Sequence, residues 1–350
     1  MNQNAYFSAK LQDSTMKINA IVWVLLFSAV TAVAQVPGCT DPLAGNYNPD
    51  ATINDGSCTY PPASVNPVAS VGLSPVLKET SGLILWGSSL YTHNDDTDIN
   101  LYAIDPGTGA VGQPIPINGV SNQDWEDVAQ DEDYIYIGDF GNNANGNRTD
   151  LRIIKVAKTS LLNGEPVTAN INFSYAGQTD YTAKEANHTD FDCEALIASA
   201  DSLYLFTKQW ISKKTSLYVL PKEPGTYQAT LKATFDTQGL ITGAVYIEDK
   251  KIVVLTGYST FLQPFLYLLY GFNGHDFFSG NKRKLRLGLS FHQIEGIAGN
   301  NGIDFYVTNE KFAKAPFIDV PQKLHHFSLA PFLQPYISIA TAPGPDGKAR

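Results

Sequence analysis

From about Val68 onward, apolar and polar positions alternate in short runs rich in β-branched and aromatic residues, separated by clusters of Gly, Asn, Asp and Pro. A period of two predicts half-buried strands joined by tight turns, and few segments carry the period of an amphipathic helix. The clearest stretch begins at Ser81. Residues 82–86 read as one strand, 89–92 as a second, 100–105 as a third and 113–117 as a fourth. Pro114 and Pro116 are compatible with the fourth only if it lies at a sheet edge. Exposure rises steadily across the four.

The pattern is punctuated by a short phrase that recurs in altered form. It reads Thr80-Ser81-Gly82-Leu83-Ile84, Trp125-Glu126-Asp127-Val128-Ala129, Cys193-Glu194-Ala195-Leu196-Ile197, Ile241-Thr242-Gly243-Ala244-Val245 and Ile294-Glu295-Gly296-Ile297-Ala298. Each phrase is followed by a polar turn and a second apolar run. Aligned on Ser81, Glu126, Glu194, Thr242 and Glu295, the spacings are 45, 68, 48 and 53 residues. A repeat of this size marks one supersecondary unit copied around an axis. Four antiparallel strands of rising exposure describe a propeller blade. The sequence therefore predicts an all-β, five-bladed β-propeller over 68–329, with the last blade's outer strand supplied by residues 70–77. Six blades are the alternative, the extra one hidden in the long second interval. That interval also holds the loop-like stretches 141–147 and 177–189.

Charge narrows the partners. The chain has 34 acidic and 24 basic residues and a net charge of −10. It lacks the basic clusters that grip phosphodiesters, so nucleic acid is not an expected partner. Its one basic run, Lys282-Arg283-Lys284 with Arg286, reads as a solvated strand face.

The N-terminal region reads as an address. Lys17 precedes an apolar run that closes with Ala32-Val33-Ala34, and the small residues at Ala32 and Ala34 suit signal peptidase. This predicts a signal peptide over 1–34 and no membrane span after its cleavage. Residues 35–60 form a small polar segment bracketed by Cys39 and Cys58, which could pair in an oxidising compartment. Its Asp41, Asp50, Asn54 and Asp55 are readable as calcium ligands or as turn formers. Residues 61–67 read as a linker and 330–350 as a weakly ordered tail. Cys193, inside a phrase, reads as a buried, inert thiol.

The phrase places one polar residue at a fixed position on the strand nearest the axis. Glu126, Glu194 and Glu295, with the channel-lining hydroxyls of Ser81 and Thr242, would converge and repel unless protonated or bridged by a cation. Calcium suits such an oxygen-only set, with Asp124, Asp127, Asp190 and Asp192 flanking it. Hydrogen bonding to neighbouring backbone is the competing role. Second-strand exits supply a further set, including His93-Asn94-Asp95, Asp139, Lys208 with Trp210, Tyr258 and Asn309-Glu310-Lys311. No Gly-x-Ser-x-Gly elbow, paired-His zinc motif or phosphate-cradling loop is present.

Two resemblances carry the reading further. The Cys39-Thr40-Asp41-Pro42, Asn46-Tyr47-Asn48-Pro49 and Asp55-Gly56-Ser57-Cys58 run resembles a short module of exported proteins from Bacteroidetes-like bacteria. It implies a secreted or cell-surface location. The Trp125-Glu126-Asp127, Gly138-Asp139 and Gly141-Asn142 elements resemble secreted bacterial propellers, and Glu295-Gly296-Ile297 is similar to a phrase of phytase-like, SdiA-regulated and gluconolactonase-like propellers. The likeness implies a propeller with calcium in or near its channel, and in some members hydrolysis of phosphate esters or lactones.

The expected function is a monomeric binding or scaffold module at the cell surface. It would take a small molecule, glycan or protein at a propeller rim and calcium on Glu126, Glu194 and Glu295. A calcium-dependent hydrolase of the phytase-like or lactonase-like type is the alternative, with His93, Asp139 or Lys208 as catalytic candidates.

Overall fold

The period of two along the chain is realised as antiparallel sheets. The structure is a computed structural model that describes residues 35–95 and 98–341. The expected signal peptide lies outside the described residues, as do positions 342–350.

Thr80–Trp86, Ser89–Asn94, Asn100–Ile104 and Ile115–Pro116 form a four-stranded sheet in chain order. Trp125–Gln130, Tyr134–Asp139, Arg152–Ala157 and Thr168–Tyr175 repeat that order, as do Asp192–Ala198, Ser202–Lys208, Thr215–Pro221 and Gly225–Phe235. The outer strands of these two quartets, Thr168–Tyr175 and Gly225–Phe235, pair in parallel and make one eight-stranded sheet. Leu240–Ile247, Ile252–Tyr258, Pro264–Tyr270 and Asn281–Leu287 follow, and Ala63–Val65 adds a parallel edge strand. Ile294–Gly299, Asp304–Asn309 and Lys323–Ser328 complete the order, and Ala69–Gly72 supplies their fourth strand.

The first strands of these units are neighbours in chain order, and Ile294–Gly299 returns to Thr80–Trp86. Apolar side chains fill each junction. Ile84, Trp125, Ile135 and Ile154 pack between the first two quartets, and Phe140, Phe173, Leu196 and Tyr218 between the next two. Phe206, Leu217, Ile241 and Phe265 fill the third junction, and Val254, Leu285, Ile294 and Phe327 the fourth. Leu83, Leu90, Ala298 and Leu324 close the circuit. The fold is nearly all β and propeller-like. The loop stretches of the second interval contain no further sheet among the described residues.

Composition misled in four places. The expected strand at 70–77 is Ala69–Gly72 followed by a short 3-10 turn, Pro75–Leu77, because Pro75 cannot donate to a ladder. The expected linker contains the strand Ala63–Val65. The first part of the expected weakly ordered tail is a helix, Ala330–Thr341, and its Leu333 is buried in the core. The basic run is not simply solvated. The Arg283 guanidinium lies between the Tyr60 and Phe332 rings, at 4.9 and 4.8 Å from their centroids. Lys284 Nζ lies 4.0 Å from the Phe265 centroid, and burial pulls its pKa down to about 8.

The small N-terminal segment belongs to the same compact unit, which begins at Val36. Cys39 and Cys58 form a disulfide. Asp41 accepts hydrogen bonds from Tyr60 Oη at 2.7 Å and Tyr270 Oη at 2.6 Å. Asn54 and Asp55 accept from backbone N–H groups two residues on, so their oxygens serve as turn formers here.

Candidate functional site

Each first strand carries a β-bulge at the recurrent phrase. Trp125 opposes Asp139 and Asp127 opposes Gly138, so Glu126 has no partner across the ladder. Glu194 is skipped between Cys193 and Ala195, Thr242 between Ile241 and Gly243, and Glu295 between Ile294 and Gly296. In the first unit the register passes from Ser81 to Ile84 against His93 and Tyr91, and Gly82 sits at φ +64°. A bulge re-aims a side chain without ending the strand. Gly82 has a second reason to be glycine, since a Cβ there would lie 2.7 Å from the Val128 nitrogen.

The hydroxyls and the glutamates divide the work. Ser81 Oγ donates to the Glu126 carbonyl and Thr242 Oγ1 to the Ile294 carbonyl, so both tie one first strand to the next. Asp127 does the same with its carboxylate. It accepts from Val128 N–H at 2.8 Å and from Leu196 N–H at 2.7 Å, with a further bond from the Ala244 backbone. Asp127 is thus a brace between strands, not a spare metal ligand.

Glu126, Glu194 and Glu295 are buried, at 5%, 2% and 6% exposure. Carboxylate oxygens of Glu126, Asp192 and Glu194 lie within 4.8 Å of one another. Side-chain hydrogen bonds join Asp124 to Glu126 and Glu126 to Glu194. Asp192 is oriented by Asn142 N–H at 2.6 Å and Trp210 Nε1–H at 2.7 Å. Gly141 backs this group closely, since a Cβ there would meet Glu126 Oε1 at 2.3 Å and Asp124 Oδ2 at 2.4 Å. Glu295 Oε2 is buried and without a hydrogen-bond partner.

Lys208 brings the compensating charge. Its Nζ lies 2.9 Å from Glu194 Oε1, with both side chains almost wholly buried. The ammonium also faces the Trp210 and Tyr258 rings, at 4.7 and 5.4 Å from their centroids. Burial opposes the Lys208 charge, but Glu194, Tyr258, Glu295 and Glu126 outweigh it and keep the group protonated. Lys208 is therefore a resident counter-ion.

One ammonium does not balance the set. Burial, then Glu194 and Asp124, push the Glu126 carboxyl well above its usual range. Burial and the neighbouring Asp192 bring Asp124 up to about 6. A second acidic group lies at the same ends of the strands. Glu79, Asp95 and Glu310 are half-buried, with carboxylate oxygens within 4.8 Å of one another. Burial and Asp95 push Glu310 up to about 8. Glu310 and Asp95 also raise Glu295, after burial and Glu194, so Glu295 feels the charge of both groups. Asp95 and Glu310 belong to the second-strand exits singled out in the sequence. Glu79 does not, but it stands two residues before Ser81 as Asp124 and Asp192 stand two residues before Glu126 and Glu194.

The other expected residues are engaged elsewhere. His93 is 0% exposed, stands edge-on to Trp125 with ring centroids 5.5 Å apart, and is held neutral by burial, at about 4. Asp139 is clamped by Arg148 Nη2 at 2.9 Å and Arg152 Nη2 at 2.8 Å. Cys193 is buried, and burial pushes its thiol up. Away from the acids, Leu83, Val128, Leu196, Ala244 and Ala298 help to line a cavity of about 70 Å³ on the same five strands among the described residues.

The pocket's donor set fits a hard cation. Carboxylates outnumber Lys208, and Glu126 and Glu194 converge with Asp192 in an oxygen-only set; Glu295, the third expected ligand, stands outside that trio.

No family model matches the chain, and no curated protein does. Among solved structures, a glutaminyl cyclase of Myxococcus xanthus aligns over 77% of this chain and 99% of its own, with 9% identity and a TM-score of 0.47. The RRP9 WD40 repeats align over 75% and 99%, with 8% identity and a TM-score of 0.39. A chain of a mitotic checkpoint complex aligns over 78% and 98%, with 10% identity and a TM-score of 0.38. Scores and identities this low decide nothing about activity. The fold described above rests on strand order and core packing.

Proposed function

We propose that this chain is an exported five-bladed β-propeller that serves as a binding module, with a calcium ion held in its acidic pocket. The blade count is supported by the cyclic order of the first strands and by an apolar core at each junction. Export is supported by the disulfide, and no helix among the described residues is long and apolar enough to cross a membrane. Glu126, Asp192 and Glu194 would supply carboxylate oxygens, with Glu295 beside them. The observation that carries the cation is the buried trio Glu126, Asp192 and Glu194, whose oxygens lie within 4.8 Å of one another and which Lys208 only partly neutralises.

Binding is favoured over hydrolysis of phosphoesters or lactones by the state of the catalytic candidates. His93 is enclosed, Asp139 is clamped by two arginines, and Lys208 is paired with Glu194. A partner at the rim, whether small molecule, glycan or protein, would meet the exposed edge of the acidic pocket.

Calorimetric titration of chelator-treated protein with CaCl₂ tests the cation. One-to-one binding, weakened about tenfold or more by Glu126→Gln, is expected, since each ligand carboxylate lost removes a charge-assisted contact. No heat and no bound metal by elemental analysis would remove calcium from the account. Turnover in a phosphoester and lactone screen, abolished in folded Glu194→Gln, would favour the hydrolase.

A further inference from the structure

Ser70, His325 and Asn309 form a hydrogen-bonded row separate from the carboxylate set. Ser70 and His325 are direct partners where Ala69–Gly72 pairs with Lys323–Ser328. Ser70 Oγ lies 2.8 Å from His325 Nδ1, and His325 Nε2 lies 2.9 Å from Asn309 Oδ1. His325 and Asn309 are 1% and 0% exposed, whereas Ser70 is exposed.

One amide fixes every proton in the row. Asn309 Nδ2 donates to the Glu310 carbonyl at 2.8 Å and the Pro321 carbonyl at 3.0 Å. Carbonyl oxygens only accept, so the amide cannot be reversed, and its Oδ1 faces the imidazole. His325 Nε2 must then carry a hydrogen. Burial, with His292 and Lys323 nearby, pulls the His325 pKa down to about 3, so the ring is neutral at pH 7. A neutral imidazole has one N–H, which leaves Nδ1 bare to accept the Ser70 hydroxyl proton. Simple cross-strand stitching needs an acceptor but no third group that fixes its tautomer. An exposed hydroxyl, a buried base and a buried orienting amide are the parts of an activated nucleophile.

We propose that Ser70 is a nucleophilic site that accepts an acyl group from activated carboxylic esters, with His325 as its general base and Asn309 as a positioning residue. Ser70 Oγ bonds to the ester carbonyl carbon while its proton passes to His325 Nδ1. The bond from that carbon to the leaving oxygen then breaks, and the leaving group departs as its anion or takes the proton from His325. The product is an ester on Ser70. A base this weak assists attack only on esters with a good leaving group, and the same weakness slows hydrolysis of the less activated Ser70 ester, so the acyl group persists and the site acts stoichiometrically.

The test treats the full chain with p-nitrophenyl acetate and follows acetylation by peptide mass spectrometry. Ser64, exposed on Ala63–Val65, is the internal control. Ser70 is expected to be acetylated at least about tenfold faster than Ser64, and folded His325→Gln to lower the Ser70 rate about 100-fold. NMR of ¹⁵N-histidine-labelled protein should show the His325 Nδ1 as the unprotonated nitrogen. Equal rates at Ser70 and Ser64, an unchanged rate in His325→Gln, or the opposite tautomer would each overturn the proposal. If His325→Gln does not fold, the serine ratio and the tautomer decide.

Discussion

Replacing Lys208 with methionine removes the one ammonium within the described acidic pocket while keeping most of the side chain's volume. At 2.9 Å from Glu194 and an effective dielectric of about 20, a unit pair attracts by about 6 kcal/mol. Desolvation of the ammonium offsets part of that. Removing one partner of a buried pair still costs about 3–5 kcal/mol, because the other charge is left uncompensated. Here the charge left behind is several carboxylates. Urea unfolding followed by tryptophan fluorescence, with EDTA present, should show Lys208→Met destabilised by about 3–5 kcal/mol. The deficit should shrink at pH 5 relative to pH 8, because protonation neutralises the acids. Calcium at 100 times its dissociation constant should return about 2.7 kcal/mol to the variant, since a cation of the solution replaces the tethered one. A loss below about 1 kcal/mol in EDTA, the range of an exposed pair, would refute the counter-ion argument.

Three further outcomes follow from the same geometry. Burial and like-charged neighbours raise Glu310 to about 8 and Asp124 to about 6, so their stabilising contribution is whole below pH ~4 and declines as pH rises through 6 to 8; melts in EDTA should fall over that window and flatten with calcium, and a rising melt would contradict the shifts. Gly141→Ala places a methyl within 2.3 Å of Glu126 Oε1, so calcium affinity should drop in titration calorimetry and stability should fall by about 1–3 kcal/mol. Asp127→Asn keeps one acceptor for the N–H groups of Val128 and Leu196 but turns an NH₂ toward the other, so urea unfolding should register a loss of about 2–3 kcal/mol with the fold's circular dichroism retained.

What the sequence made legible was the repeat and the position within it that faces inward. Glu126, Glu194 and Glu295 were found because the bulge recurs with the phrase, and a recurrence survives degeneracy that would hide a single motif. The role of Lys208 was not legible. Its partner sits across a strand pair, and its surplus of acidic neighbours comes from other sheets. Glu79 was legible in principle, since an acid stands two residues before the aligned position in three of the five phrases, as Glu79, Asp124 and Asp192. Proline-rich composition suggested a linker over 61–67, yet Ala63–Val65 uses its own backbone to extend a sheet edge. The tail's Pro and Gly likewise concealed a helix whose Leu333 enters the core. The module's acids were ambiguous in sequence because Tyr60 and Tyr270, which converge on Asp41, stand 19 and 229 residues from it.

Because the extra residue in each first strand has no opposite number, the ladder on either side of it is indifferent to what it carries. Threonine and glutamate occupy that place in four of the five strands without disturbing the neighbouring pairs, whereas Ser81 stays paired with His93. Architecture and chemistry are thereby uncoupled at Glu126 and Glu295, two unpaired positions near a common centre. A library that varies Glu126 and Glu295 would change what the ring attracts, while Ser81 and Thr242 keep the bonds that hold the first strands together and Glu194 keeps its pair with Lys208.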